Sequence, residues 1–326
     1  LTGISKFCKT GIFSAMNNLE DISMDMEYAD LYGYTQQEIE KNFQEHILYA
    51  SGRSNLSYIE FMDKLRAYYD GFCFDGNSKV YNPFSIMLCL KKCEFDNFWY
   101  ESGSPMYIVN YMKKHRIADI EVFNHCEVQK DFLSSHEIES ASPECFLYQS
   151  GYLTIEKKLA TGFMLKYPNH EIKDSIIILY LEHVYEISMP VKVGSCLWSA
   201  FKNVDLPLVV DIYNSALSSV PFDDFPNRDE YWYRSLFIML LRGAGVMVHA
   251  EIHTNLGRAD MVVVFEKTIF VLEFKCAYTP NMVDSVRNIG IKQIEEKNYA
   301  KPYEFDSRTL IKQVFVIDVV NRKIVL

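Results

Sequence analysis

An aspartate, a glutamate and a lysine stand in this chain where two apolar strands would bring them together. The first run is Ala259-Asp260-Met261-Val262-Val263-Val264-Phe265, the second Thr268-Ile269-Phe270-Val271-Leu272-Glu273-Phe274-Lys275. Both are rich in β-branched and aromatic residues, which suit a pleated, buried surface. Glu266-Lys267 is the only polar pair between them and serves as a two-residue turn. Phe265 then pairs with Thr268, and counting back sets Asp260 opposite Glu273. Residues so opposed have Cβ atoms ~4.5–5.5 Å apart. Two carboxylates at that distance repel unless a cation lies between them. Lys275, two residues beyond Glu273, projects from the same face.

That trio suits metal-assisted cleavage of a phosphodiester. Mg²⁺ takes oxygen ligands, keeps several waters, and is commonly held by one or two carboxylates plus phosphate oxygens. Mg²⁺, or Mn²⁺ in its place, is therefore the expected cofactor, with Asp260 and Glu273 as its ligands. The ion would activate a water and offset charge on the phosphate. The lysine would orient that water or neutralise the developing charge. The plain alternative is a surface hairpin with a cross-strand Lys–Glu pair, and strands this apolar on both faces argue against it.

The elements that must position the trio are legible on either side. A helix is expected over 228–241, with Asp229 and Glu230 in its first turn, where acids suit the dipole. Gly243 and Gly245 end it. Residues 246–252 alternate as a strand. After the two strands comes a helical stretch over 281–299 carrying Gln293 and Lys297, then a strand over 311–320 and a short edge over 323–326. The order is helix, three strands, helix, strand.

This order and the Asp…Glu-x-Lys pattern resemble the PD-(D/E)XK nuclease superfamily. The phrase Glu251…Gly257-Arg258-Ala259-Asp260…Glu273-Phe274-Lys275…Gln293-Ile294…Lys297-Asn298-Tyr299-Ala300 is similar to the subgroup that follows an AAA-ATPase-like domain in bacterial and archaeal proteins. The resemblance implies that Asp260 and Glu273 bind metal and that Lys275 is the catalytic lysine. It implies further that Glu230 is the first-helix acid and Gln293 the helix glutamine at the site. Ala259 stands where the signature has proline. Glu230 also reads as a plain helix N-terminal acid, and Gln293 and Lys297 as a polar helix face. Glu251 either faces the site or pairs with Arg258. His249 and His253 alternate with it and are expected to face solvent or pack. With no cysteine at ligand spacing nearby, zinc is not expected.

Residues 1–190 resemble the later part of that AAA-ATPase-like domain, through Leu1-Thr2-Gly3-Ile4-Ser5-Lys6-Phe7, Tyr68-Tyr69-Asp70-Gly71-Phe72, Tyr81-Asn82-Pro83-Phe84, Phe98-Trp99-Tyr100-Glu101-Ser102-Gly103 and Gln149-Ser150-Gly151-Tyr152-Leu153. Thr35 and Glu38 form a capping box that opens a helix. A phosphate-binding loop needs Gly-x-x-x-x-Gly-Lys-Ser/Thr; no glycine here directly precedes a lysine. The chain reads as starting at a late strand of the ATPase core, and no ATP binding or hydrolysis is expected of it alone. Helices are expected over 35–49, 56–70, 83–92 and 105–115. A hairpin over 152–155 and 162–167, followed by a helix over 171–185, suggests a winged-helix lid that binds DNA or packs on the ATPase. A helical connector over 195–218 and a linker with two prolines and two acids over 220–227 complete the chain.

The expected fold class is therefore α+β or α/β: a mainly helical N-terminal region with a winged-helix-like lid, then a restriction-endonuclease-like αβββαβ core. The expected domains are 1–190, a connector over 191–221, and the nuclease-like part over 222–326. The chain has 326 residues, 49% of them apolar, enough for more than one core. No run of 18 apolar residues exists, so no membrane span is expected, and no signal peptide is visible. The eight cysteines show no Cys-x-x-Cys and read as reduced cytoplasmic thiols. The formal charge is −10, which does not favour phosphate backbones. It is uneven: residues 222–326 carry 14 basic and 14 acidic side chains, residues 1–221 carry 19 against 29. The nuclease-like part can thus meet DNA, with weak and salt-sensitive binding, while a protein partner for the acidic region, or a homo-oligomer, stays open. The functional expectation is a Mg²⁺-dependent nuclease acting on DNA. The other reading is a non-catalytic module that binds nucleic acid or protein for an ATPase-linked defence or regulatory system.

Overall fold

The computed structural model describes residues 22–99, 106–115, 117, 120–132, 142–221, 228–246, 248–253 and 257–326, with the backbone alone at 107 and 250–253. The sequence features at 1–21 and 100–105, most of the 220–227 linker, and the side chains of Glu251 and His253 lie outside the described residues. The chain divides into two compact units, one of residues 1–115 and 120–176, the other of residues 116–119 and 177–326.

The first unit is mainly helical. Helix α1 (Gln36–Asn42) opens on the expected capping box: the Thr35 hydroxyl accepts from the Glu38 amide, and the Glu38 carboxylate accepts from the Thr35 amide. The single helix expected over 35–49 is instead α1 and α2 (Gln44–Arg53), meeting at Phe43, whose backbone turns to φ −116°, ψ 11°. Its ring packs 5.2 Å from that of Tyr34, a contact that periodicity could not announce. Helices α3 (Tyr58–Tyr69), α4 (Pro83–Lys92) and α5 (Met106–Lys114) lie where periodicity placed them. Ile39, Ile47, Phe61, Leu65, Tyr69, Ile86 and Phe98 form the core between the first four. Strand β1 (Cys126–Gln129), helix α6 (Pro143–Gln149) and strands β2 (Thr154–Lys158) and β3 (Gly162–Lys166) follow, and helix α7 (His170–His183) runs from this unit into the second. The β2–β3 hairpin and the helix after it were expected; β1, pairing antiparallel to β3, was not. Gly162 is required there, since a Cβ would lie 1.8 Å from the Val128 carbonyl oxygen.

The second unit is built on one sheet. The helical connector expected over 195–218 is two helices, α8 (Pro190–Lys202) and α9 (Leu206–Leu217). They part because Val204 takes φ 59° and the Asp205 carboxylate caps α9 at the Leu208 amide, with Pro207 in its first turn. Helix α10 (Glu230–Gly243) precedes strands β4 (Val248–His253), β5 (Arg258–Val264) and β6 (Thr268–Ala277); helix α11 (Val283–Glu296) leads to β7 (Thr309–Asp318) and β8 (Lys323–Val325). The sheet order is β4-β5-β6-β7-β8. Only the β6–β7 pair is parallel, and α11 is the crossover that such a pair needs. On one face Val286 and Ile294 of α11 pack with Val262, Val271, Val314 and Val316. On the other, the ring of Phe237 in α10 lies against those of Phe274 and Phe315. Covered on both faces, β5 and β6 are apolar almost throughout, as a sheet between two helix layers requires. The Asn214 side chain of α9 bonds both backbone groups of Ile324 (2.8 and 2.9 Å), satisfying the edge strand. This mixed sheet with helices on both sides is consistent with a restriction-endonuclease-like core. Among the described residues no helix is long and apolar enough to cross a membrane, and the cysteines are free thiols.

Candidate active site

The site begins where the β5–β6 ladder ends. Met261 pairs with Leu272, Val262 with Val271, Val263 with Phe270 and Val264 with Ile269. The Phe265 amide donates to the Thr268 carbonyl at 2.8 Å, closing the two-residue turn at Glu266-Lys267. One step past Leu272 the Asp260 carboxylate, through Oδ2, accepts the Phe274 amide at 2.9 Å in place of a strand carbonyl. Asp260 and Glu273 are both buried there, 8% and 1% exposed.

Each carboxylate has its own cation. Arg234 of α10 donates from Nη1 to Asp260 Oδ1 at 2.6 Å, and both side chains are buried. Lys275 Nζ lies 2.9 Å from Glu273 Oε1, 2.8 Å from the Phe274 carbonyl oxygen and 3.3 Å from Glu230 Oε1. Gln293 of α11 donates to Glu273 Oε1 and, at 3.2 Å, to the Tyr299 hydroxyl. The five residues singled out by sequence, Asp260, Glu273, Lys275, Glu230 and Gln293, are thus drawn to one place. His249 is exposed and takes no part.

The electrostatics follow from burial. Removal from water, then the nearby Asp260 charge, push the Glu273 carboxyl up to about 7 against the pull of Lys275. Burial also raises the Glu230 carboxyl, opposed by Lys275. For Lys275 burial acts downward, but Glu273, Glu230 and Asp260 together outweigh it and the ammonium holds its proton more firmly than usual. Glu273 Oε2 is buried and has no hydrogen-bond partner among the described residues. An orphaned buried carboxylate oxygen is costly and calls for a cation or a donor.

Two participants escaped the sequence reading. Arg234 could have been found, because it lies one turn beyond Glu230 and is the lone charge in the buried helical run from Trp232 to Leu241. Tyr299 stands in the family-like phrase but had no role assigned; its hydroxyl meets Gln293 through the turn after α11. Among the described residues no three His, Cys, Asp or Glu side chains stand together as a metal-binding group. A site for one ion does not require three: two carboxylates, one with an open oxygen, fit a divalent ion completed by water and phosphate.

Residues 228–325 match the family model of the PD-(D/E)XK nuclease superfamily, and this segment is a domain of that superfamily. Across 313 residues the chain is 31% identical to a protein of Azotobacter chroococcum mcd 1 described as "Uncharacterized protein in vnfD 5'region". The match takes in 93% of this chain and 57% of that protein, so the chain spans little more than half the length of its relative. No solved structure matches.

Proposed function

We propose that this chain is a metal-dependent nuclease that hydrolyses DNA phosphodiester bonds, leaving 5′-phosphate and 3′-hydroxyl ends. One observation carries the reading: buried Asp260 and Glu273 sit with Lys275 at the end of the ladder, and Glu273 Oε2 is left without a partner. Asp260 and Glu273 would hold Mg²⁺ or Mn²⁺, which when bound supplies Lewis acidity to a water and positive charge to the phosphate. Gln293 fixes Glu273 through Oε1 and so keeps Oε2 available. Lys275 stays protonated and neutralises charge building on the phosphate oxygens. Glu230, half-buried at the edge of the cluster, steadies the ammonium and offers a carboxylate to orient the attacking water.

The catalytic part in this reading is residues 222–326, joined by 191–221 to an AAA-ATPase-like region over 1–190 with a winged-helix-like lid. The match to the Azotobacter protein along nearly the whole chain supports a shared architecture for these parts. Lacking a phosphate-binding loop, this chain alone should not turn over ATP. A cytoplasmic location suits the free thiols. A second reading, a non-catalytic nucleic-acid or protein binding module, is favoured by one observation: Arg234 already neutralises Asp260.

Cleavage of linear, circular and single-stranded DNA with Mg²⁺ or Mn²⁺ separates the two. The nuclease reading expects cleavage by the wild type and its loss in both Asp260→Ala and Lys275→Ala. Cleavage persisting in both variants removes the assigned site. A wild type that binds DNA but neither cleaves it nor takes up metal supports the binding module.

A further inference from the structure

We infer that Arg234 occupies the place of a second cation, so that the site accepts a single divalent ion, on the Glu273 side. The inference rests on the metal-dependent reading above and concerns how many ions the site admits. Of the four oxygens of Asp260 and Glu273, three are engaged. Asp260 Oδ1 is held by Arg234 at 2.6 Å, Asp260 Oδ2 by the Phe274 amide at 2.9 Å, and Glu273 Oε1 by Lys275 and Gln293. Only Glu273 Oε2 is buried without a partner. An incoming ion therefore finds one open oxygen, Glu273 Oε2, and shares Asp260 only through the lone pair that Oδ2 keeps beside the Phe274 amide. A second ion at Asp260 would have to displace a guanidinium that is itself about nine-tenths buried.

Charge leads to the same count. Glu230, Asp260 and Glu273 face Arg234 and Lys275, which leaves one negative charge when all are ionised. One divalent ion and one phosphodiester anion bring the cluster to neutrality. A second divalent ion would leave two positive charges uncompensated in a site removed from water, which is strongly unfavourable. Arginine suits this post because its guanidinium is planar, delocalised and more weakly hydrated than an ammonium.

Mn²⁺ alone, titrated into the full chain and followed by the paramagnetic signal of free Mn²⁺ and by calorimetry, tests this. The wild type and Arg234→Lys are expected to bind one ion, and Glu273→Gln to lose it. Arg234→Gln is expected to bind Mn²⁺ at least about tenfold more tightly, or to admit a second ion, because a repelling charge beside the site is gone. Two ions in the wild type or in Arg234→Lys overturn the inference. So does an Arg234→Gln protein with wild-type stoichiometry and affinity. If Arg234→Gln does not fold, the counts for the wild type and Arg234→Lys still decide. One ion bound regardless of Arg234, with DNA cleavage intact, refutes this inference alone. No Mn²⁺ uptake together with no cleavage refutes the metal-dependent reading and this inference with it.

Discussion

Replacing Asp260 by alanine should cost stability as well as any activity, and the size of that cost follows from its partners. The carboxylate joins two elements: Arg234 of α10 at 2.6 Å and the Phe274 amide of β6 at 2.9 Å. Both carboxylate and guanidinium are buried, so removing the carboxylate leaves a buried guanidinium without its ion-pair partner Asp260. Breaking such a pair costs about 3–5 kcal/mol, and a freed buried amide costs about 1–3 kcal/mol more. Water entering the vacated space would relieve both, so the two do not add fully, and about 4 kcal/mol is expected. That is a large part of the roughly 5–15 kcal/mol that holds a domain folded. Urea unfolding followed by circular dichroism reads it, provided the denaturant slope is unchanged. A double-mutant cycle isolates the pair: Asp260→Ala and Arg234→Leu should each be costly, and together cost little more than either alone. An Asp260→Ala protein within about 1 kcal/mol of wild type, or single costs that simply add, would refute the reasoning. The same result fixes how a loss of cleavage in Asp260→Ala is read, because a protein so weakened can lose activity by unfolding.

Lys275→Met removes the ammonium but leaves Glu273 free to protonate. Single-turnover cleavage of linear DNA should fall about 10²- to 10³-fold with little loss of stability, and a fall under threefold would remove Lys275 from the chemistry. Gln293→Ala leaves Glu273 Oε1 held by Lys275 alone and should weaken Mn²⁺ binding about tenfold, as loss of a residue that orients a ligand does; unchanged affinity by calorimetry would make that contact incidental. In the first unit, burial raises the Glu171 carboxyl to about 7, against the hydrogen bonds from the Trp99 amide and the Ser85 hydroxyl that favour its charge. The folded state therefore keeps this proton to higher pH than the unfolded chain, whose value is near 4.5. Stability from this group is full below pH 4.5 and is lost as pH rises through 7, by up to about 3 kcal/mol. Glu171→Gln should flatten that fall, so equal pH dependence of urea unfolding in both proteins would exclude it.

Local patterns were legible and distant meetings were not. The polar pair Glu266-Lys267 between two apolar runs sets the hairpin register, which the paired residues and the closing Phe265–Thr268 bond show directly. The Thr35–Glu38 box and α4 were legible for the same reason, because their signals lie within a few residues. Strand β1 and the parallel pairing of β6 with β7 were not, since each depends on partners far along the chain. Strand periodicity says which face a side chain takes but not which strand lies beside it.

By itself the sequence set two carboxylates at the end of one hairpin with a lysine two residues on, because side chains alternate along a strand and a two-residue turn at Glu266-Lys267 counts back to that place. Only the tertiary structure decided what meets those charges. The sheet's two helix layers bury Glu273 and raise its carboxyl, α10 brings Arg234 against Asp260, and α11 brings Gln293 to Glu273. Opposition of charges is a property of spacing, whereas their desolvation and compensation come from helices packed across the sheet. The same hairpin in water would be a solvated pair of acids; between α10 and α11 it becomes a site with one oxygen left open.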